Sequence, residues 1–334
     1  MSSNAVISSW PAVAAAWIAA ACVAFPHLAR AQPYPAKPVR VIVPSGPGPG
    51  DLETRGLAQA LADQTGQSFV VENRIGAEGI LGIDACAKAP RDGYTLCLIT
   101  ITQLTFLPAL RTNLPFDWAK DIAPIAHMGF LDSALVVHPS FAGNSVKELF
   151  EAARSKPDSV AWSTFGVSSP SHLYVEWLRK ARGIAFYNVP YKSAQLAAQA
   201  AVAGEVQVAL YGAGQAAGFV RGAKLKALAV TSERRLSFLP EVPTLPEAGF
   251  DVRLPRNWYG LGGPSGMPRE IIQRLNAEAI KAMSQPAFID KMMISQGITP
   301  PPPMTPEQMG EFMRTGFQQF QELMKVIGLK PEAG

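Results

Sequence analysis

Histidine and cysteine, on which most metal and nucleophile chemistry is built, are scarce here: four histidines and three cysteines in 334 residues. No H-E-x-x-H, C-x-x-C or G-x-S-x-G segment occurs, which excludes the usual zinc, dithiol and serine-hydrolase arrangements. Ser171 and His172 are neighbours, but consecutive side chains on a helix point apart, so they form no dyad. Without a nucleophile and base or paired carboxylates at usable spacing, an enzyme is the least favoured class, and no catalytic residue, metal or cofactor is expected. Charge is thin as well, at 17% Asp, Glu, Lys and Arg, with 30 basic against 26 acidic residues. No basic run interleaved with aromatics exists to follow a phosphate backbone, so nucleic acid is excluded as a partner. The mild positive balance favours at most an anionic small molecule. No repeat of fixed period is present.

What is present is an ordinary apolar fraction of 48% and a length that suits two domains. Residues 11–25 are nearly continuous Ala, Val, Ile, Trp and Cys, followed by HLARAQ at 27–32. The run is too short for a comfortable membrane span, and Ala29-Arg30-Ala31 supplies a small-x-small cleavage pattern before Gln32. Residues 1–31 therefore read as a secretory leader, although no Lys or Arg precedes the apolar run. A retained anchor or a lipid on Cys22 is the alternative. Cleavage leaves Cys86 and Cys97, both at apolar positions and read as two small core residues, which an oxidising compartment would permit to pair.

From position 39 onward, short β-branched runs alternate with helical patterns, the signature of parallel sheets covered by helices. Strands are expected at 39–43, 69–71 and 94–100, with helices at 52–64 and 81–88 between them. A second βα series follows, with strands at 135–137, 160–164, 184–189, 206–211 and 225–230 and helices at 146–155, 170–181 and 194–203. The last third is helical, at 268–283, 286–296 and 305–327, and is broken by the prolines at 300–303.

Two glycine-rich loops carry the chemistry. The first, VPSGPGPGD at 43–51, lies between a strand and a helix, and its glycines let backbone N–H groups approach a ligand at the positive end of that helix. The second, RIGAEGILG at 74–82, repeats the arrangement one βα unit later, so adjacent parallel strands would bring both to one sheet edge. Neither has the register of a dinucleotide or phosphate-cradling motif. The plainer reading is a pair of tight turns with Asp51 as an N-cap.

The ordered set YPAKPVRVIVP at 34–44, VENR at 71–74, DGYTL at 92–96, LPFD at 114–117, VPYK at 189–192, KALAVTS at 226–232 and LPEVPT at 239–244 resembles the extracytoplasmic solute receptors of tripartite tricarboxylate transporters, the Bug-type proteins. The resemblance spans essentially the whole chain after the leader. It implies a two-lobed α/β fold of the type II periplasmic-binding-protein (Venus-flytrap) kind, with the ligand in the interdomain cleft. The lobes would be 32–131 plus 255–334, and 132–254. It further implies a monomer that holds a small carboxylate mainly through backbone amides and delivers it to the transporter's membrane subunits. Presentation to a sensor kinase is the alternative output.

Position by position, the resemblance points to Ser45, Gly46 and Gly48 in the first loop and to Gly76, Ala77, Glu78 and Gly79 in the second. Thr102 and Gln103 follow from the third strand. Thr164, Phe165 and Ser168 come from the other lobe, where Ser169 and Pro170 read as an N-cap and first helical residue and His172 as a packed histidine. The chain also departs from the family. Its first loop is one residue shorter, and Ser45 stands where an aromatic is common. Glu78 replaces a small residue and is read as a solvated surface charge; turned inward it would repel a second carboxylate or accept from a hydroxyl or ammonium. Tyr211 occupies a position where many relatives carry an Asp suited to an ammonium group, which points to a mono- or dicarboxylate other than an amino acid, aromatic bodies included.

Overall fold

The computed structural model describes residues 34–250 and 255–331. The chain divides into two units, Met1–Ala36 and Lys37–Gly334, and every element named here belongs to the second. The proposed leader lies outside the described residues. Among these no helix is long and apolar enough to cross a membrane.

Two sheets organise the second unit. The first begins with β1 (Val39–Val43), helix α1 (Pro49–Thr65), β2 (Phe69–Asn73), α2 (Ile80–Ala87) and β3 (Thr95–Thr100). β1 lies between β2 and β3, parallel to both. The central strands β1 and β3 are almost wholly buried, as helices on both faces require. β4 (Ile122–Leu131) then leads through a single residue, Asp132, into β5 (Ser133–Val137), the first strand of the second sheet. There α3 (Val146–Ser155), β6 (Ala161–Thr164), α4 (Pro170–Arg182), β7 (Tyr187–Pro190), α5 (Ala194–Ala203), β8 (Val208–Gly212), α6 (Ala213–Arg221) and β9 (Lys226–Val230) give the order β7-β6-β8-β5-β9. The chain returns to the first sheet as β10 (Trp258–Pro264), and α7 (Arg269–Met283), β11 (Ile298–Thr299) and α8 (Pro306–Ile327) complete the order β11-β4-β10-β3-β1-β2. The C-terminal helix α8 packs on β4 and also on α4 beside the second sheet.

Three expectations are corrected. The sheets are mixed, not parallel: β10 runs antiparallel to β3 and β4, and β5 antiparallel to β8 and β9. The strand expected at 184–189 occupies Tyr187–Pro190, because Ile184 and Phe186 turn into the core before the ladder begins. Cys86 and Cys97 are not separate core thiols. They form a disulfide with Cα atoms 6.1 Å apart, as the inner face of α2 lies directly on β3.

Glu53, on α1, is fully buried and neither carboxylate oxygen has a hydrogen-bond partner among the described residues. Burial holds its pKa well above the ordinary glutamate value, and the same carboxylate, after burial itself, pushes the Tyr259 phenol up. Because the folded state keeps this proton longer than the unfolded chain does, stability falls as pH rises from about 4.5 through the folded pKa. Glu53→Met removes the unpaired group at similar volume. We expect it to raise stability by about 1–3 kcal/mol at pH 8 and to flatten that part of the pH profile, as read by calorimetric melting between pH 5 and 9. A variant that melts no higher than the parent at pH 8 would refute the assignment.

Candidate ligand-binding cleft

Between the sheets lies a cavity of about 840 Å³, lined from both sides by the loops that follow β1, β2, β3, β6, β7 and β8. These are the carboxyl ends of the parallel strands, where main-chain direction and helix N-termini converge. Three helices whose N-caps line it, at Gly48, Gly79 and Gly212, have no side-chain cap. A fourth is closed by its own Ser169 hydroxyl, which accepts from the His172 amide at 3.3 Å. Capping does not sort with position: α5, whose first residues also line the cavity, is closed by the Ser193 hydroxyl, while α3 and α8, away from it, are closed by Ser145 and Thr305 and α7, also away from it, has no side-chain cap. Pro49 has no N–H, the Ile80 amide donates to the Ala77 carbonyl and the Ala213 amide to the Asp132 carbonyl at 2.8 Å, so only the amides that follow them in each first turn are without an intrahelical acceptor. A helix end favours a nearby anion by roughly 0.3–1 kcal/mol.

The first loop is held by a polar knot that the sequence did not reveal. Asp51 is not the N-cap; it sits in the first turn, is buried, and accepts from Asn73 Nδ2 at 2.8 Å and Arg55 Nε at 3.0 Å. The same Asn73 nitrogen donates to the Ser45 carbonyl at 2.8 Å, and Arg55 Nη2 donates to Asn73 Oδ1 at 2.7 Å. Asn73 ends β2, so one amide fixes the first loop against the root of the second.

The second loop has an unusual backbone. Gly76, Ala77, Glu78 and Gly79 all have positive φ, at 146°, 47°, 57° and 93°. Two non-glycine residues in that region are costly, and such strain persists only where surroundings enforce it. Gln103 supplies the enforcement: its Nε2 donates to the Glu78 carbonyl at 2.8 Å while its Oε1 accepts from the Thr100 hydroxyl. A Cβ on Gly79 would lie 2.5 Å from that Gln103 nitrogen, so only glycine serves there.

Of the expected site residues, Ser45, Gly46, Gly48, Gly76, Ala77, Glu78, Gly79, Thr102, Gln103, Phe165, Ser168 and Tyr211 line the cavity. Thr164 does not: it is buried behind the wall, where its hydroxyl donates to Asn188 Oδ1 at 2.7 Å. Glu78 is no freely solvated surface charge. Its side chain lines the cavity, ion-paired to Arg111 at 2.9 Å and accepting from the Ser168 hydroxyl.

Residues missed by sequence reasoning include Tyr191, Lys192, Gln195, Gln215, Asn257 and Tyr259. Tyr191 and Lys192 could have been found, since they follow β7 directly. Lys192 is exposed and has no ion-pair partner among the described residues. Burial raises the pKa of the Tyr191, Tyr211 and Tyr259 phenols, with Glu205 adding to the effect at Tyr191. All three phenols thus stay protonated at neutral pH as O–H donors.

No described histidine lines the cavity. His172 contacts Asn188 at 3.3 Å, and burial lowers its pKa. His127 packs among Phe130, Phe312 and Trp258, where burial first and Arg256 second bring its pKa to about 4. Among the described residues no three His, Cys, Asp or Glu side chains gather as a metal would need. The cavity wall brings together main-chain amides, tyrosine phenols, Lys192 and the ion-paired Glu78.

The family model described as "Tripartite tricarboxylate transporter family receptor" matches residues 54–329. Protein BugT of Bordetella pertussis is 32% identical over 96% of this chain and 97% of its own length. Among solved structures, Rpa4515 of R. palustris with adipate superposes with a TM-score of 0.80 at 26% identity, covering 90% of this chain and 100% of that one. The periplasmic binding protein BugD gives 0.77 at 27% identity, covering 90% and 100%. MatC of Rhodopseudomonas palustris with bound malate gives 0.74 at 27% identity, covering 87% and 99%. With a two-lobed α/β architecture, uncapped helix ends at its cleft and a match over most of its length, the chain belongs to the tripartite tricarboxylate transporter receptor family, the Bug-type solute-binding proteins.

Proposed function

We propose that this chain is exported, is cleaved before Gln32, and acts in the periplasm as a monomeric receptor that captures a small organic carboxylate and delivers it to the membrane subunits of a tripartite transporter. The observation that carries the reading is the convergence on one cavity of the open helix end at Gly48 and the positive-φ loop 76–79. A carboxylate placed there meets several amides at once, which a single helix end cannot offer. Adipate and malate in two structural relatives support the same ligand class. Tyr211 at the cleft wall, in place of a carboxylate, disfavours an ammonium and hence an amino acid. Capture works by differential affinity: a ligand touching both halves favours the closed arrangement.

A thermal-shift screen of mono- and dicarboxylates, with the corresponding amino acids beside them, tests this. At about 100 times its Kd a ligand adds about 2.7 kcal/mol, enough for a clear rise in melting temperature. We expect such a rise for at least one carboxylate that is not an amino acid. Stabilisation by amino acids alone, or by no organic acid, contradicts the reading.

A further inference from the structure

Glu78 divides its carboxylate between the two halves of the cleft. Oε1 accepts from Arg111 Nη2 at 2.9 Å, and Arg111 directly follows the short helix Leu107–Leu110 on the side of the first sheet. Oε2 accepts from the hydroxyl of Ser168, which stands in the loop after β6 of the second sheet. Both ends of this bridge are anchored. The Glu78 main chain is fixed by Gln103, and the neighbouring Ser169 hydroxyl donates to the Gly166 carbonyl at 2.7 Å, which tightens the loop that carries Ser168. Ser168 itself is buried. Any movement that parts the sheets at this level must break the Ser168–Glu78 bond, and a hydrogen bond to an ionised acceptor is among the stronger ones in a protein.

We infer that Glu78 is a positioning residue: a ligand-independent tie between the halves that sets how much of the receptor is already closed before ligand arrives. Apparent affinity scales with the closed fraction, so the tie tightens every ligand by the same factor and does not itself choose among them. Arg111 has a defined part in this, since it compensates the Glu78 charge and aims the second oxygen across the gap. The affinity consequence rests on the receptor function proposed above; the closure consequence does not.

Ser168→Ala removes the bridge and leaves the Glu78–Arg111 pair intact. In X-ray scattering of the ligand-free protein, we expect this variant to have a larger radius of gyration than the parent. Calorimetry with adipate, malate and any further acid from the thermal-shift screen should show a loss of about tenfold, equal for all of them. Glu78→Gln keeps an acceptor for Ser168 but loses the charge, and should fall between parent and Ser168→Ala in both measurements. Superimposable ligand-free scattering curves for parent and Ser168→Ala overturn the inference. So does a loss that differs between ligands, which would make Ser168 a direct contact. If no acid binds the parent, the receptor reading fails while the scattering result still decides the tie.

Discussion

Gly48→Asp is expected to fold as well as the parent and to lose carboxylate binding by about 100-fold or more. Gly48 has φ 170° and ψ −174°, an extended conformation open to any residue, and a Cβ built there meets nothing within 4 Å. The fold therefore does not require glycine at this position. Gly48 is the N-cap of α1, and no side chain closes that helix. An aspartate is among the best N-caps, so its carboxylate would accept from the first amides of α1, the donors a ligand carboxylate would use. It would also place a like charge beside the ligand, worth about 1–4 kcal/mol at 4 Å between water-like and surface dielectrics. The melting temperature should hold or rise slightly as affinity collapses. Gly48→Ala, which can neither cap nor repel, should lose far less. Calorimetric titration with the strongest carboxylate from the thermal-shift screen, alongside melting curves, reads both effects. Parental affinity in Gly48→Asp would remove the first loop from the site.

Much of that loop was legible because glycine and proline are unambiguous punctuation. VPSGPGPGD follows a β-branched run and precedes a helical pattern, and Pro49 occupies the first helical turn as proline prefers. Its polar wiring was not legible. Asp51 looked like a cap because caps are local, whereas beside Arg55 one turn on it binds Asn73 at the end of the neighbouring strand, 22 residues away. The direction of Glu78 follows from φ 57°, a conformation that nothing in a non-glycine side chain announces. Thr164 was lost to the opposite problem: it ends β6 as a pocket residue would, but its hydroxyl is claimed sideways by Asn188 of β7. Among the described strands, β4, β10 and the two-residue β11 escaped notice: Pro124, His127 and Gly129 interrupt the first, Gly260, Gly262, Gly263 and Pro264 the second, and the third is too short to show a pattern. With β10 unseen, Asn257 and Tyr259 could not be placed at the cleft. The antiparallel pairings of β10 were hidden for the same reason, whereas those of β5 join strands that the sequence does announce and only their direction was not legible.

Where the chain passes between the sheets, a buried ion pair takes over from loops. Asp132, between β4 and β5, has a side chain that is 0% exposed, and Arg256 grips it through Nε and Nη2 at 3.1 and 2.8 Å. Thr299 of β11 donates to the same carboxylate at 2.7 Å, and the guanidinium lies 3.8 Å from the centroid of Phe130. One carboxylate thus joins the outgoing crossing, the returning one and the edge strand. Its main chain reaches the second sheet too, since the Asp132 carbonyl accepts from the Ala213 amide at 2.8 Å. One residue further on, Gly214 meets Gly297 backbone to backbone: a Cβ on Gly214 would lie 2.5 Å from the Gly297 nitrogen. Contacts this tight hold the two sheets against each other where the chain crosses. Asp132→Asn preserves shape but leaves the largely buried Arg256 charge with only the exposed Glu233, 3.7 Å away, and Arg256→Met leaves the buried Asp132 carboxylate with only the Thr299 hydroxyl. Each should cost about 3–5 kcal/mol, whereas the double variant should cost less than the sum of the two, because no uncompensated charge remains. Urea unfolding of the four proteins completes the cycle, and single effects that simply add would show that Asp132 and Arg256 do not act as a pair.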